Sequence, residues 1–128
     1  MENQRIVIDT TLFIEHLRSK DKSKTTLFKL SSTGLRYVSS VTVYELFAGA
    51  TDASKMASVR YELQGLLILP FTTEIAEKAG EIFRDLRSRG QMIEATDIFI
   101  AATALVDNLP VKTVNIRHFS RVQGLLLA

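Results

Sequence analysis

Strands that alternate with helices along nearly the whole chain predict an α/β domain with a mostly parallel sheet and helices on both faces. Two observations carry this expectation. The run Ile6 to Ile8 is continuously apolar, as strands buried on both faces are. Between the strand candidates lie stretches in which apolar residues recur at helical spacing. The size agrees: 128 residues with 46% hydrophobic content suit one compact domain, 1–128.

The elements follow in order. Ile6 to Ile8 reads as the first strand, and Leu12, Phe13, Ile14 and Leu17 place a helix from Thr11 into the basic turn Arg18 to Lys24. Glu15 and His16 are expected to face solvent. Thr25 to Leu30 predicts a short helix stopped near Gly34. Leu35 to Ser39 is the second strand, with β-favouring Tyr37 and Val38. Ser40 is a candidate cap for the next helix, which holds Tyr44, Leu46 and Phe47 and ends near Gly49. Ala53 to Gly65 is amphipathic. Leu66 to Phe71 predicts a third strand, ended by Pro70. Thr72 or Thr73 is a candidate cap for a long helix that Gly90 stops, with Ile75, Ala76, Ala79, Ile82, Phe83 and Leu86 at helical spacing. Thr96 is a candidate cap for a helix that is apolar nearly all round and therefore buried. Val111 to Val114 is the fourth strand, and Leu125 to Leu127 a candidate fifth.

Composition narrows the chemistry. There is no cysteine, so disulfides, thiol catalysis and zinc–thiolate sites are excluded. No apolar run reaches membrane-span length, and the first five residues lack a signal segment, so a cytoplasmic protein without a membrane partner is expected. The net charge of +2 permits a nucleic-acid partner without requiring one.

Three acids stand inside otherwise apolar stretches, where an unpaired charge is costly. Asp9 ends the first strand, at the sheet edge where such folds place their sites. Glu45 lies one turn into the helix after the second strand, and Asp97 opens the buried helix. Each has an ordinary reading: a helix cap for Asp9, an ion pair for Glu45, a first-turn acid favoured by the helix dipole for Asp97. Together they suggest a shared site, because clustered carboxylates repel one another unless a cation lies between them. Oxygen ligands without cysteine point to Mg²⁺ or Mn²⁺. Glu94, three residues before Asp97, is a further candidate, with a solvated acid as the simpler reading.

The segments "IVIDTTLFIEHLR", "VSSVTVYELFAGA" and "TDIFIAATALVDNLPVKTVNIRHFSRVQGLLL" together resemble the PIN-domain ribonucleases, in particular the VapC-type toxins of toxin–antitoxin pairs. The resemblance covers nearly the whole chain. It implies a PIN-like α/β/α sandwich with a central, mostly parallel, four- to five-stranded sheet. It also implies that Asp9, Glu45 and Asp97 bind the Mg²⁺ or Mn²⁺ of a metal-dependent endoribonuclease that hydrolyses RNA phosphodiesters by metal-activated water. Thr113 matches a threonine that supports the acids by hydrogen bonding. Asn115 takes a place where many members carry a fourth polar or acidic residue, and it supplies no charge. Thr10 and Thr11 form the turn that aims Asp9. Thr11 keeps a hydroxyl where the family often has Asn or Ser. Arg117 and Arg121 are candidate phosphate contacts, with Lys112, Arg84, Arg87 and Arg89 extending the groove. His118 is a substrate contact or a surface residue beside Phe119. The resemblance further implies an RNA substrate such as a tRNA or an rRNA, a cognate antitoxin and a homodimer. Leu12, Phe13, Leu46 and Phe47 serve either that dimer or the core.

Other classes fit less well. A phosphatase that forms an aspartyl-phosphate wants a second Asp two positions after Asp9, where Thr11 stands. A receiver domain wants an Asp after the third strand, and "LILPFTTE" has none. A catalytically inactive module of the same fold, binding protein or RNA, has no need of three intact acids.

Overall fold

The computed structural model describes residues 4–30 and 34–128; the first three residues of the segment read as carrying no signal lie outside them. Four strands form one all-parallel sheet in the order β3-β2-β1-β4: β1 (Arg5–Ile8), β2 (Leu35–Ser39), β3 (Leu67–Leu69) and β4 (Val111–Lys112). Val7 pairs with both Tyr37 and Val111, so β1 is central. The candidate fifth strand is a single parallel bridge between Val111 and Leu127.

Side chains alternate along β1, and the alternation divides the core. Ile6, Ile8 and Val38 face α1 (Thr10–Arg18), α2 (Ser40–Ala48) and α3 (Ala53–Leu63). Val7, Tyr37 and Val111 face α4 (Thr73–Ser88) and α5 (Ala95–Val106), together with Phe119 of the one-turn α6 (Ile116–Phe119). Burial on both faces explains why β1 carries no polar alternation. Leu12, Phe13 and Leu46 lie in the first of these clusters, with Phe47 packed at its border. Core packing therefore accounts for the residues that a dimer interface would otherwise have claimed.

Several elements depart from the sequence expectation for local reasons. Thr25 to Leu30 is a series of turns and not a helix. The Thr25 hydroxyl donates to the Lys22 carbonyl and accepts from the Phe28 amide, so the side chain satisfies groups that a helix would pair. A 3-10 turn, Lys22–Lys24, precedes it. His16 is buried, not exposed: its Nδ1 lies 2.6 Å from Thr25 Oγ1, and its Nε2 lies 3.4 Å from Glu62 on α3. Glu15 is exposed as expected and accepts the Thr26 amide. Ser39, not Ser40, caps α2, accepting from Val41 N. Thr72 caps α4 through Ile75 N. Helix α5 starts one residue before Thr96, from Glu94, whose side chain makes no capping bond.

One glycine is required by geometry. Gly34 has φ +89°, and the Gln4 carbonyl oxygen occupies the space a Cβ would need, because the Leu35 amide bonds that same oxygen to join β2 to the chain before β1. Gly34→Ala is expected to lower stability by more than about 2 kcal/mol, read as a fall in the urea midpoint at unchanged slope.

Candidate active site

The C-terminal edge of the sheet delivers Asp9 from β1, Thr113 from β4 and the start of α2 from β2. Asp9 continues the ladder, its amide donating to the Lys112 carbonyl at 2.9 Å. It stands at the N-cap of α1 with extended backbone, but its side chain does not cap the helix. Instead Oδ2 accepts two hydroxyls, Thr11 Oγ1 at 2.6 Å and Thr113 Oγ1 at 2.8 Å. Thr113 is held in turn by the Asn115 amide, which donates to its Oγ1 at 2.8 Å. The other oxygen, Asp9 Oδ1, is buried without a hydrogen-bond partner. The residue is 1% exposed. Leaving such an atom unmatched costs about 1–3 kcal/mol, more for a charge, so the position is not explained by stability.

Glu45 is fixed by a second hydroxyl pair. Thr10 Oγ1 donates to Glu45 Oε1 at 2.7 Å, and so its 2.8 Å bond to Thr42 Oγ1 is one in which Thr42 donates. Thr42 is a site residue the sequence reading missed. Its signal was its place one turn before Glu45, on the same face of α2.

Asp97 lies in the first turn of α5. Burial, then the charges of Asp9, Glu45 and Glu94, raise its pKa to about 7. A first-turn acid that merely complemented the helix dipole would move the other way. Asp9, Glu45 and Glu94 therefore lie within electrostatic reach of Asp97. Among the described residues no three His, Asp or Glu side chains are drawn together as a ligand set. Glu94 itself is exposed.

His118 borders the acids. Its Nδ1 is 3.8 Å from Asp97 Oδ2 and 2.8 Å from Asn115 Nδ2. The cations divide. Arg121 donates to the Met92 carbonyl and Arg89 to Asp85 and the Arg121 carbonyl, so both brace the approach to α5. Arg117 is exposed and has no partner among the described residues.

The donor set fits a hard divalent cation. It is oxygen only, it includes the unmatched Asp9 Oδ1, and it contains an acid whose ionisation its neighbours oppose. Asp9, Glu45 and Asp97 are the residues that would hold it.

A parallel α/β sandwich with a buried carboxylate, Asp9, at the end of its central strand resembles the domains that do their chemistry at that edge. The PIN domain family matches residues 6–125. Ribonuclease VapC19 of Mycobacterium tuberculosis is 33% identical over 114 residues, covering 88% of this chain and 90% of that protein. Ribonuclease VapC1 of Rickettsia felis is 30% identical over 127 residues, covering 94% and 92%. A DNA-bound VapBC structure from Salmonella typhimurium superposes with a TM-score of 0.84 at 27% identity, covering 98% of this chain and 97% of that one. The chain belongs to the PIN-domain family, among the VapC ribonucleases.

Proposed function

We propose that this chain is a single-domain, metal-dependent endoribonuclease acting as the toxin of a toxin–antitoxin pair. The observation that carries the reading is the buried, unpartnered Oδ1 of Asp9, an acid whose charge, with that of Glu45, acts on Asp97. When bound, a Mg²⁺ or Mn²⁺ ion neutralises phosphate charge and acidifies water. The chain's own part is placement. Thr11 and Thr113 fix the Asp9 carboxylate from one side, and Thr10 and Thr42 fix Glu45 from the other. Arg117 offers a free guanidinium for a substrate phosphate. No side-chain nucleophile is needed: water attacks the phosphorus, the bond to the 3′-oxygen breaks, and the products carry a 5′-phosphate and a 3′-hydroxyl.

The substrate proposed is a tRNA or an rRNA. The VapBC complexes among the structural neighbours support a cognate antitoxin partner. A homodimer is proposed on surfaces other than Leu12, Phe13 and Leu46, which are core. None of the described helices is long and apolar enough to cross a membrane, which is consistent with the cytoplasmic setting proposed.

The test is cleavage of total cellular RNA, tRNA and rRNA included, with Mg²⁺ or Mn²⁺ and with EDTA. Cleavage with metal, none in EDTA, and 5′-phosphate product ends are expected. Undiminished cleavage in EDTA, or 2′,3′-cyclic phosphate ends, would sink the mechanism.

A further inference from the structure

Three aromatic side chains lie on or next to the elements that carry the acids and are not accounted for by them. Phe71 follows β3 at the same sheet edge as Asp9, and its amide donates to Ser40 Oγ at 3.2 Å, which ties it to the first turn of α2. Its ring lies 5.0 Å from that of Phe99, tilted by 59°. Phe99 is two residues beyond Asp97 on α5. Tyr44 precedes Glu45 and follows Ser40 by four residues, so it shares Ser40's face of α2. Long helical side chains lean toward the helix N-terminus, which carries the Tyr44 ring toward the Ser40–Phe71 junction. Tyr44 is 68% exposed and Phe71 38%. Phe99 is only partly covered by the core beneath it.

The acids pose a problem that these rings answer. Carboxylates repel the phosphates they are to act on, so affinity for an RNA strand must come from groups around them. Arg117 offers one charge. A flat, exposed aromatic surface offers stacking, which every base accepts and which needs the base to be unpaired.

We infer that Tyr44, Phe71 and Phe99 form a platform on which an unpaired RNA base next to the scissile phosphate stacks. The inference rests on the ribonuclease reading above. The platform selects loops and single strands over duplex, because paired bases present no free face. It commits the surface to RNA, and a second copy of this chain is the competing occupant.

The experiment uses the full chain with Asp9→Asn, so that RNA is bound and not consumed. The probe is a pool of short single-stranded RNAs of random sequence with 2-aminopurine in place of adenine. Binding is expected to quench the 2-aminopurine fluorescence. Tyr44→Leu and Phe71→Leu keep apolar bulk but remove the π face. Each is expected to weaken binding by about 5- to 150-fold, the usual worth of one stacked base, and to lose quenching. Tyr44→Phe is expected to keep both. With Asp9 intact, the Leu variants are expected to raise KM more than they lower kcat. Unchanged affinity and quenching in the Leu variants overturn the platform. So does a fall from dimer to monomer mass in sedimentation with RNA affinity unchanged, since a second copy then covers the rings. If the unaltered protein cleaves no RNA, the ribonuclease reading itself has failed and the platform goes with it.

Discussion

Asp9→Asn is expected to abolish RNA cleavage while leaving the fold intact. The amide is nearly the same shape as the carboxylate. Its oxygen still accepts from Thr11 Oγ1 and Thr113 Oγ1, which hold Oδ2 in the native protein. The NH₂ group then falls where Oδ1 now lies buried without a partner. One uncompensated buried atom replaces another and a charge that opposes Asp97 is removed, so thermal stability without metal should not fall. The cation site loses its most buried charge and one of its oxygen ligands. Metal-assisted phosphoryl chemistry draws several kcal/mol from such charge, and about 4 kcal/mol corresponds to a ~10³-fold loss of rate. The measurements are kcat on the cleaved RNA and a melting curve in EDTA. A variant that melts like the parent and still cuts at more than a tenth of its rate would remove Asp9 from the reaction. Asp9→Ala is a poorer probe, because it also leaves the Thr11 and Thr113 hydroxyls without their acceptor.

How much of this could be read from sequence depended on the length scale of each signal. Strand β2 was legible to the residue, because Leu35 to Ser39 is bounded by Gly34 and a serine cap. Helix α4 was legible because sixteen residues repeat its apolar period four times. Features one turn long were not. Helix α6, Ile116–Phe119, carries no period, and Thr25 to Leu30 has helical composition that the Thr25 hydroxyl overrides. Nor can spacing give burial where packing is distant in sequence. His16 is covered by Thr25 and Glu62, and no local pattern announces either contact. Strand β3 was expected over Leu66 to Phe71 and spans only Leu67–Leu69 at the sheet edge, with Leu67 and Ile68 exposed. At the site, the acids were visible as charged residues inside apolar stretches, and Thr113 through the family resemblance. The Thr10–Thr42–Glu45 chain was not, since hydroxyls are common and only the fold brings α1 and α2 together.

Without metal, Asp97 should make the protein lose stability as pH rises. In an unfolded chain its carboxyl has the ordinary pKa of 3.8, and in the folded protein burial and the charges of Asp9, Glu45 and Glu94 raise it to about 7. The folded state therefore holds the proton more tightly. Its contribution to stability is complete below the unfolded value and is lost as pH climbs through the folded one. At 1.36 kcal/mol per unit, the window from about pH 4 to pH 7 is worth up to ~4 kcal/mol. Asp97→Asn removes the titration. In EDTA it should be more stable than the unaltered protein at pH 8, by on the order of 10 °C in Tm, and the gap should close toward pH 4. Taking the difference between the two proteins cancels the other carboxylates common to both. Added Mg²⁺ works in the opposite direction, because a cation binds the ionised folded site and not the unfolded chain. It should restore the unaltered protein at pH 8, do less at pH 5 where protons compete, and do little for Asp97→Asn at any pH. A gap in EDTA that does not change with pH would mean that the neighbouring acids do not oppose ionisation of Asp97. Equal stabilisation of both proteins by Mg²⁺ would place the cation elsewhere.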